Sequence, residues 1–312
     1  MKRFILFVFT GLFFSAVIVL PFAGGVSQFV SFITSANALL VVALWAAGFA
    51  LASFLFGLVT KDYSWVDRSW STLPVAFVWY YACRGGCTLP LCVTAALVTL
   101  WGARLTFNFA RKGGYSGVED YRWSILRTRI KNPFLWQLFN LLFISCYQTG
   151  MFVLFTWPVY SITGYAGKGI PVLFWACIVL AFALLYFETT ADQQQWNFHA
   201  AKKASAKGNN FPPRYSADVK NGFLSQGLFA LSRHPNYFGE LGFWWTIWLA
   251  ALSLGGDPVL SGFFGPLMLT VLFVGSTIFT ENISASKYPE YRNYKKRVSP
   301  VIPWFKRHIN PH

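Results

Sequence analysis

The chain has 312 residues, of which 55% are hydrophobic, 20% aromatic and only 12% charged, too apolar a composition for a soluble domain of this length. Its formal charge of +15 invites a polyanionic partner, but no basic segment carries a nucleic-acid motif, and no nucleic-acid partner is expected. What remains is an all-α, polytopic integral membrane bundle.

Runs long enough to cross the hydrocarbon core, roughly 20 residues each, recur along most of the sequence. Eight are predicted, over residues 4–23, 31–59, 70–83, 89–110, 134–158, 170–197, 236–254 and 258–280. The third is short enough to be re-entrant, and the sixth is expected to continue beyond the bilayer as a helix. The first has the basic start of a signal peptide but is long and lacks a small-x-small cleavage site, so it reads as a retained helix. Cytoplasmic loops collect Lys and Arg. With Lys2 and Arg3 cytoplasmic, so are the loop around Lys61 and Arg68, the segments 111–131 and 202–233, and the C-terminal tail. The opposite side keeps Arg84 and Lys168, and Arg104 lies inside a helix. Both termini are therefore expected on the cytoplasmic side, in an inner membrane if bacterial or the endoplasmic reticulum if eukaryotic. The concentrated positive charge suits anionic headgroups, and Lys306 and Arg307 near the C-terminus are explained in the same way.

Cys83 and Cys87 flank a short loop on the far side and could pair in an oxidising compartment. Two cysteines at this spacing fall short of a metal site, and no metal is expected. Cys92, Cys146 and Cys177 read as packing residues. The polar stretch Lys203 to Gly222, too charged to cross a bilayer, suits either a lid or a plain solvated connection.

The acids gather at one level: of eleven, Asp257 alone is assigned to the far side. In "FETTADQQQWNFHA", Glu188, Asp192, Gln195 and His199 follow at steps of four, three and four, which places them on one helical face. Ionisable groups at membrane depth are costly and face a cavity or a partner; the alternative is the hydrated end of an emerging helix. In "SRHPNYFGE", Pro235 suits the first turn of the seventh helix. A helix N-terminus beside Arg233 and His234 is an anion site, with Asn236, Tyr237 and Glu240 in its first turns. Two further clusters resemble this one: Arg104 to Arg127 around "VEDYRW", and Glu281 to Lys296 with Tyr288, Tyr291, Arg292 and Tyr294. Arg on phosphate and Tyr on a planar ring suit a nucleotide. No GxGxxG or GxxxxGK[ST] is present, so the helices themselves would form its pocket.

"DYRW", "SRHPNYFGE" and the tail "PEYRNYKKRVSPVIPWF" resemble the steroid 5-alpha-reductase-like superfamily, in its bacterial and protist branch. The tail pattern is shared with sterol reductases and isoprenylcysteine carboxyl methyltransferases. The resemblance spans roughly residues 60 to 305. It divides the chain into a two-helix extension, 1–59, and a catalytic domain, 60–312. It implies a membrane enzyme taking NADPH from the cytosol and a hydrophobic small-molecule substrate laterally from the lipid bilayer. By the same resemblance, Asp192 corresponds to the acid on the cofactor helix and Glu188 to a position held by Asn in steroid reductases. Asn236 and Glu240 correspond to the motif's NADPH contacts, Arg104 to the basic residue facing the nicotinamide. Arg122, Tyr291 and Arg292 fall in cofactor-contacting segments, and Glu188, Asp192, His199, Arg233, His234, Tyr237 and Glu281 complete the expected cofactor set. Two departures matter. The family's catalytic Tyr is Trp101 here, and "STLP", Ser71 to Pro74, has no Glu.

The implied reaction is hydride transfer from NADPH to a carbon-carbon double bond conjugated to a carbonyl, in a steroid- or lipid-like enone. Asp67, Tyr80 and Tyr81 are candidate proton donors, with Trp101 and Arg104 in the catalytic set. Arg104 inside the bilayer would neutralise a cofactor phosphate or a partner acid. Two rival functions stand beside it: a membrane methyltransferase using S-adenosylmethionine, whose cofactor needs fewer phosphate-facing cations, and a non-catalytic lipid- or sterol-binding protein, suggested by Trp101.

Overall fold

The computed structural model describes residues 2–23, 26–167 and 169–304. Lys168, Lys306 and Arg307 lie outside them. The described residues form helices and no strand; Ser232 and Ser299 make one isolated bridge. Among the described residues six helices are long and apolar enough to cross a membrane, and the chain is a multi-pass integral membrane protein. It divides into two compact units, unit 1 (Met1–Trp175 and Ile247–Pro266) and unit 2 (Ala176–Thr246 and Leu267–His312).

Unit 1 begins with α1 (Lys2–Ala23), α2 (Val26–Ser35) and α3 (Ala38–Thr60). The apolar run expected to start at 31 is broken by Asn37, whose carboxamide oxygen accepts from Leu39 N at 2.9 Å and Leu40 N at 3.2 Å. That cap satisfies the first free amides of α3 and starts the span there. α1 packs along α3 through small residues. A Cβ on Gly48 would run into Ser15, and the Ser15 hydroxyl donates to Trp45 O at 3.1 Å. Phe7 closes this contact against Phe49 and Phe56, with centroids 6.0 and 5.6 Å apart. Lys61, in a left-handed conformation (φ 56°), ends α3 and turns the chain into the 62–72 loop.

α4 (Leu73–Arg84) has 12 residues, about 18 Å of helix, too short to cross. Arg84 anchors its end by donating to Ile33 O at 2.8 Å and Ala36 O at 2.9 Å. α5 (Leu89–Arg111), the short α6 (Tyr121–Arg129) and α7 (Pro133–Phe139) follow. α7 runs through a π-helical segment, Asn140–Tyr147, into α8 (Gln148–Ile162), making one apolar helix of 30 residues. Cys83, Cys87 and Cys92 are free thiols.

α9 (Val172–Ala206) is a single 35-residue helix, as the expected extension of the sixth span requires. The segment after it is packed within unit 2, with its own α10 (Ser216–Asn221). Tyr215, Leu224 and Phe229 bury against Ala191, Phe198 and Ala201 of α9. Asp218 accepts from Ser225 N at 3.1 Å, Ser225 Oγ at 2.7 Å and Gln226 Nε2 at 2.6 Å. α11 (Pro235–Ser253) begins where the first-turn proline predicts, but it is not one of the six long apolar helices. Pro235, Asn236, Tyr237 and Glu240 make its first turns polar, so that among the described residues six of the eight expected spans have the length and apolarity of a membrane-crossing helix. α12 (Phe264–Lys287) and α13 (Tyr291–Arg297) complete the described chain.

Candidate functional site

In unit 2, two glycines let α11 approach α9. A Cβ on Gly239 would meet the Glu188 Cβ at 2.6 Å and Leu184 O at 3.0 Å, and one on Gly242 would meet the Leu184 side chain at 3.0 Å. This approach sets Glu188 beside the first turns of α11. Glu188 is 3% exposed, Asp192 6% and Glu240 6%. Glu240 accepts from the Trp244 indole at 3.1 Å. The helical face read from sequence therefore holds two of these buried carboxylates on α9 itself, one turn apart. Further along α9, Gln195 lies 3.2 Å from His199, which is exposed.

The "SRHP" segment is anchored by the chain's tail. Arg233 forms a two-pronged contact with Glu281 of α12, Nε to Oε1 at 2.6 Å and Nη2 to Oε2 at 3.1 Å. Lys295 Nζ reaches the same carboxylate at 3.0 Å, and His234 Nε2 lies 3.3 Å from it. Arg233 Nη1 donates to Lys295 O at 2.8 Å and also to Val298 O. Backbone amides of Arg233 and His234 donate to Ser299 O and Pro300 O at 2.8 and 3.0 Å. The His234 ring stacks on Tyr237 at 4.9 Å, and Tyr237 meets Phe273 edge-on at 4.7 Å. Arg233 thus holds a carboxylate and backbone carbonyls rather than standing open for phosphate.

Phe223, Tyr288, Tyr291 and Tyr294 pack together beside this anchor. Burial and the nearby Glu281 carboxylate push the Tyr291 phenol above its ordinary range, keeping it a hydrogen-bond donor. Burial would raise Tyr288 as well, but the Lys202 ammonium, 2.9 Å from its hydroxyl, and Lys287 hold it below the ordinary value. Asn236 is half-buried in the first turn of α11, and Arg292 is exposed on α13.

In unit 1, the "SWVDRSW" loop is tied to the 114–127 segment. Asp67 accepts from the Trp123 indole at 2.6 Å. By area the residue is half-buried, yet its carboxyl group is closely surrounded. Burial, opposed by Arg122, pushes it up to about 6. Arg122 pairs with Asp120 at 2.9 Å. Arg68, its side chain 2% exposed, pairs with Asp62 at 2.6 Å, and Arg127 pairs with Glu119 at 2.7 Å. The Tyr80 hydroxyl donates to Ile33 O at 2.5 Å and accepts from Arg84 at 3.0 Å. Trp101 is fully buried against Phe155, and Arg104, one turn on, is half-buried.

The sequence groups Arg233, His234 and Glu281 as cofactor contacts, whereas in unit 2 they meet one another and Lys295.

A family model described as "Protein of unknown function (DUF1295)" matches residues 53–298. An uncharacterized protein of Schizosaccharomyces pombe, C594.04c, is 37% identical over 268 residues, covering 82% of this chain and 77% of that one. Methanethiol S-methyltransferase 1 of Bradyrhizobium diazoefficiens is 29% identical over 123 residues, covering 39% of this chain and 36% of the enzyme. No solved structure matches the chain.

Proposed function

The chain belongs to the DUF1295 family, and from that premise we propose that it is a membrane-embedded methyltransferase using S-adenosylmethionine on a hydrophobic acceptor. The observation that carries this reading is the charge arrangement in unit 2. Arg233 and Lys295, two cations that could meet a dinucleotide's phosphates, are engaged by Glu281. Buried carboxylates at Glu188, Asp192 and Glu240 instead match a cationic sulfonium cofactor carrying ribose hydroxyls and an amino group, all of which a carboxylate recognises. The partial similarity to a methanethiol S-methyltransferase supports the same class.

The residues present fit that cofactor in defined roles. Glu188, Asp192 and Glu240 would hold its hydroxyl and ammonium groups, and Tyr237 and Tyr291 would flank its planar base. When bound, the cofactor supplies the methyl group; the acceptor's nucleophilic atom forms the new bond as the carbon–sulfur bond breaks. Keeping water from the buried carboxylates preserves their electrostatic pull on the positive charge.

A second reading, reduction by NADPH, is favoured by Asp67. A carboxyl group pushed up to about 6 can donate a proton near neutral pH, as reduction of an enone requires. Thermal unfolding of the detergent-purified protein with S-adenosylmethionine, S-adenosylhomocysteine, NADPH and NADH separates the two, because a ligand selective for the native state raises its apparent stability. Stabilisation by the first two ligands, lost in Glu240→Ala, is the expected result. Stabilisation by NADPH alone replaces methyl transfer with reduction.

A further inference from the structure

We propose that unit 1 contains a binding site for the oxygen atom of a neutral, hydrophobic ligand, built on the side-chain amide of Gln148 and walled by Trp70, Trp101, Phe152 and Phe155. Gln148 opens α8 and is only 5% exposed. Its Oε1 accepts from the Trp70 indole N–H at 2.8 Å. That bond assigns the two ends of the amide, since a flipped carboxamide would set N–H against N–H. The NH2 end therefore faces away from the indole. Among the described residues, Nε2 has no hydrogen-bond partner, although it can donate twice. Ser145, three residues earlier and fully buried, also has a hydroxyl without a partner among the described residues.

The walls decide what these donors receive. The Trp70 ring lies 4.9 Å from Phe152 and stacks at 6.0 Å on Phe155, and Trp101 meets Phe155 at 6.2 Å. Phe152, Phe155 and Trp101 are fully buried. None of these side chains is ionisable, so a charged ligand would go uncompensated. A carbonyl oxygen has two lone pairs to take both amide protons, while the aromatic walls fit an apolar body. The backbone supports a functional reading. The π-helical segment Asn140–Tyr147 ends directly before Gln148, and such departures within α-helices are frequent at functional sites. A donor buried in an apolar protein interior is costly to leave without an acceptor, and a ligand oxygen removes that cost.

The inference concerns unit 1 by itself and does not depend on the proposed enzyme. Binding is read without cofactor, so failure here leaves the cofactor result untouched, and the reverse holds. The test uses the full chain in lipid nanodiscs and two pairs of tritiated probes: cholest-4-en-3-one with cholest-4-ene, and 2-nonadecanone with nonadecane. Wild-type protein is expected to bind at least one ketone about tenfold more tightly than its hydrocarbon. Gln148→Leu is expected to remove that preference while leaving hydrocarbon affinity unchanged. The double variant Trp70→Phe with Gln148→Met removes donor and acceptor together; it is expected to keep the wild-type melting temperature and lose the preference. Equal affinity for both members of both pairs in wild type, or a preference retained in Gln148→Leu, overturns the proposal.

Discussion

Glu281 faces Arg233, His234 and Lys295 while its side chain is 4% exposed. Neutralising it leaves cations buried without their counter-charge, which costs more than the pair's net attraction contributes. Glu281→Gln is therefore expected to destabilise the detergent-solubilised protein by roughly 3 kcal/mol, measured by chemical unfolding. Replacing Arg233 and Glu281 together with Met and Leu should cost clearly less. Asp67 gives the opposite case. Its folded value of about 6 lies above the ordinary 3.8, so the folded chain binds this proton more tightly than the unfolded chain does. Its contribution is most favourable below about pH 4 and is lost as pH rises through about 6, by at most ~3 kcal/mol. Asp67→Asn is expected to flatten the melting-temperature profile across that window and to be the more stable protein at neutral pH. An unchanged slope in the variant would assign the titration elsewhere. The polar character of both sites was legible in the sequence. Their partners were not: Glu281 lies 48 residues from Arg233 and Trp123 lies 56 from Asp67, and nothing local couples such positions.

At the scale of elements, the contact of α9 with α11 depends on the absence of a side chain. Gly239→Ala places a methyl 2.6 Å from the Glu188 Cβ and 3.0 Å from a backbone oxygen, and backbone cannot yield as a flexible side chain does. The expected cost is about 1–3 kcal/mol, read as a lower melting temperature, together with a smaller thermal shift from S-adenosylmethionine as Glu188 is displaced. Element boundaries were legible where their chemistry is local. Pro235 announced the start of α11, and α9 continues beyond its apolar run as expected, although it also takes in residues 203–206, which read as part of the polar connection. The break before α3 was missed because one capping residue, Asn37, carries it within an apolar run. α4 and α11 were counted as spans because apolar residues dominate both. One is too short and the other too polar in its first turns.

At the scale of the whole molecule, six long apolar helices among the described residues and the eight expected spans are both even numbers, and an even number of crossings would put both termini on one side. Reporter fusions at the N- and C-termini are expected to report the same compartment, the cytoplasmic one, by the positive-inside asymmetry. Opposite compartments would mean that an additional segment, α4 or α11, crosses. The sequence by itself determined the membrane class and the helical fold, because composition and hydropathy act over a few residues. Only the tertiary structure decided which charges neutralise one another, that Arg233 and Lys295 converge on Glu281, and that the Gln148 amide is buried with one end engaged. Those outcomes depend on side chains brought together from distant turns of packed helices, where low dielectric and close packing turn proximity into energy.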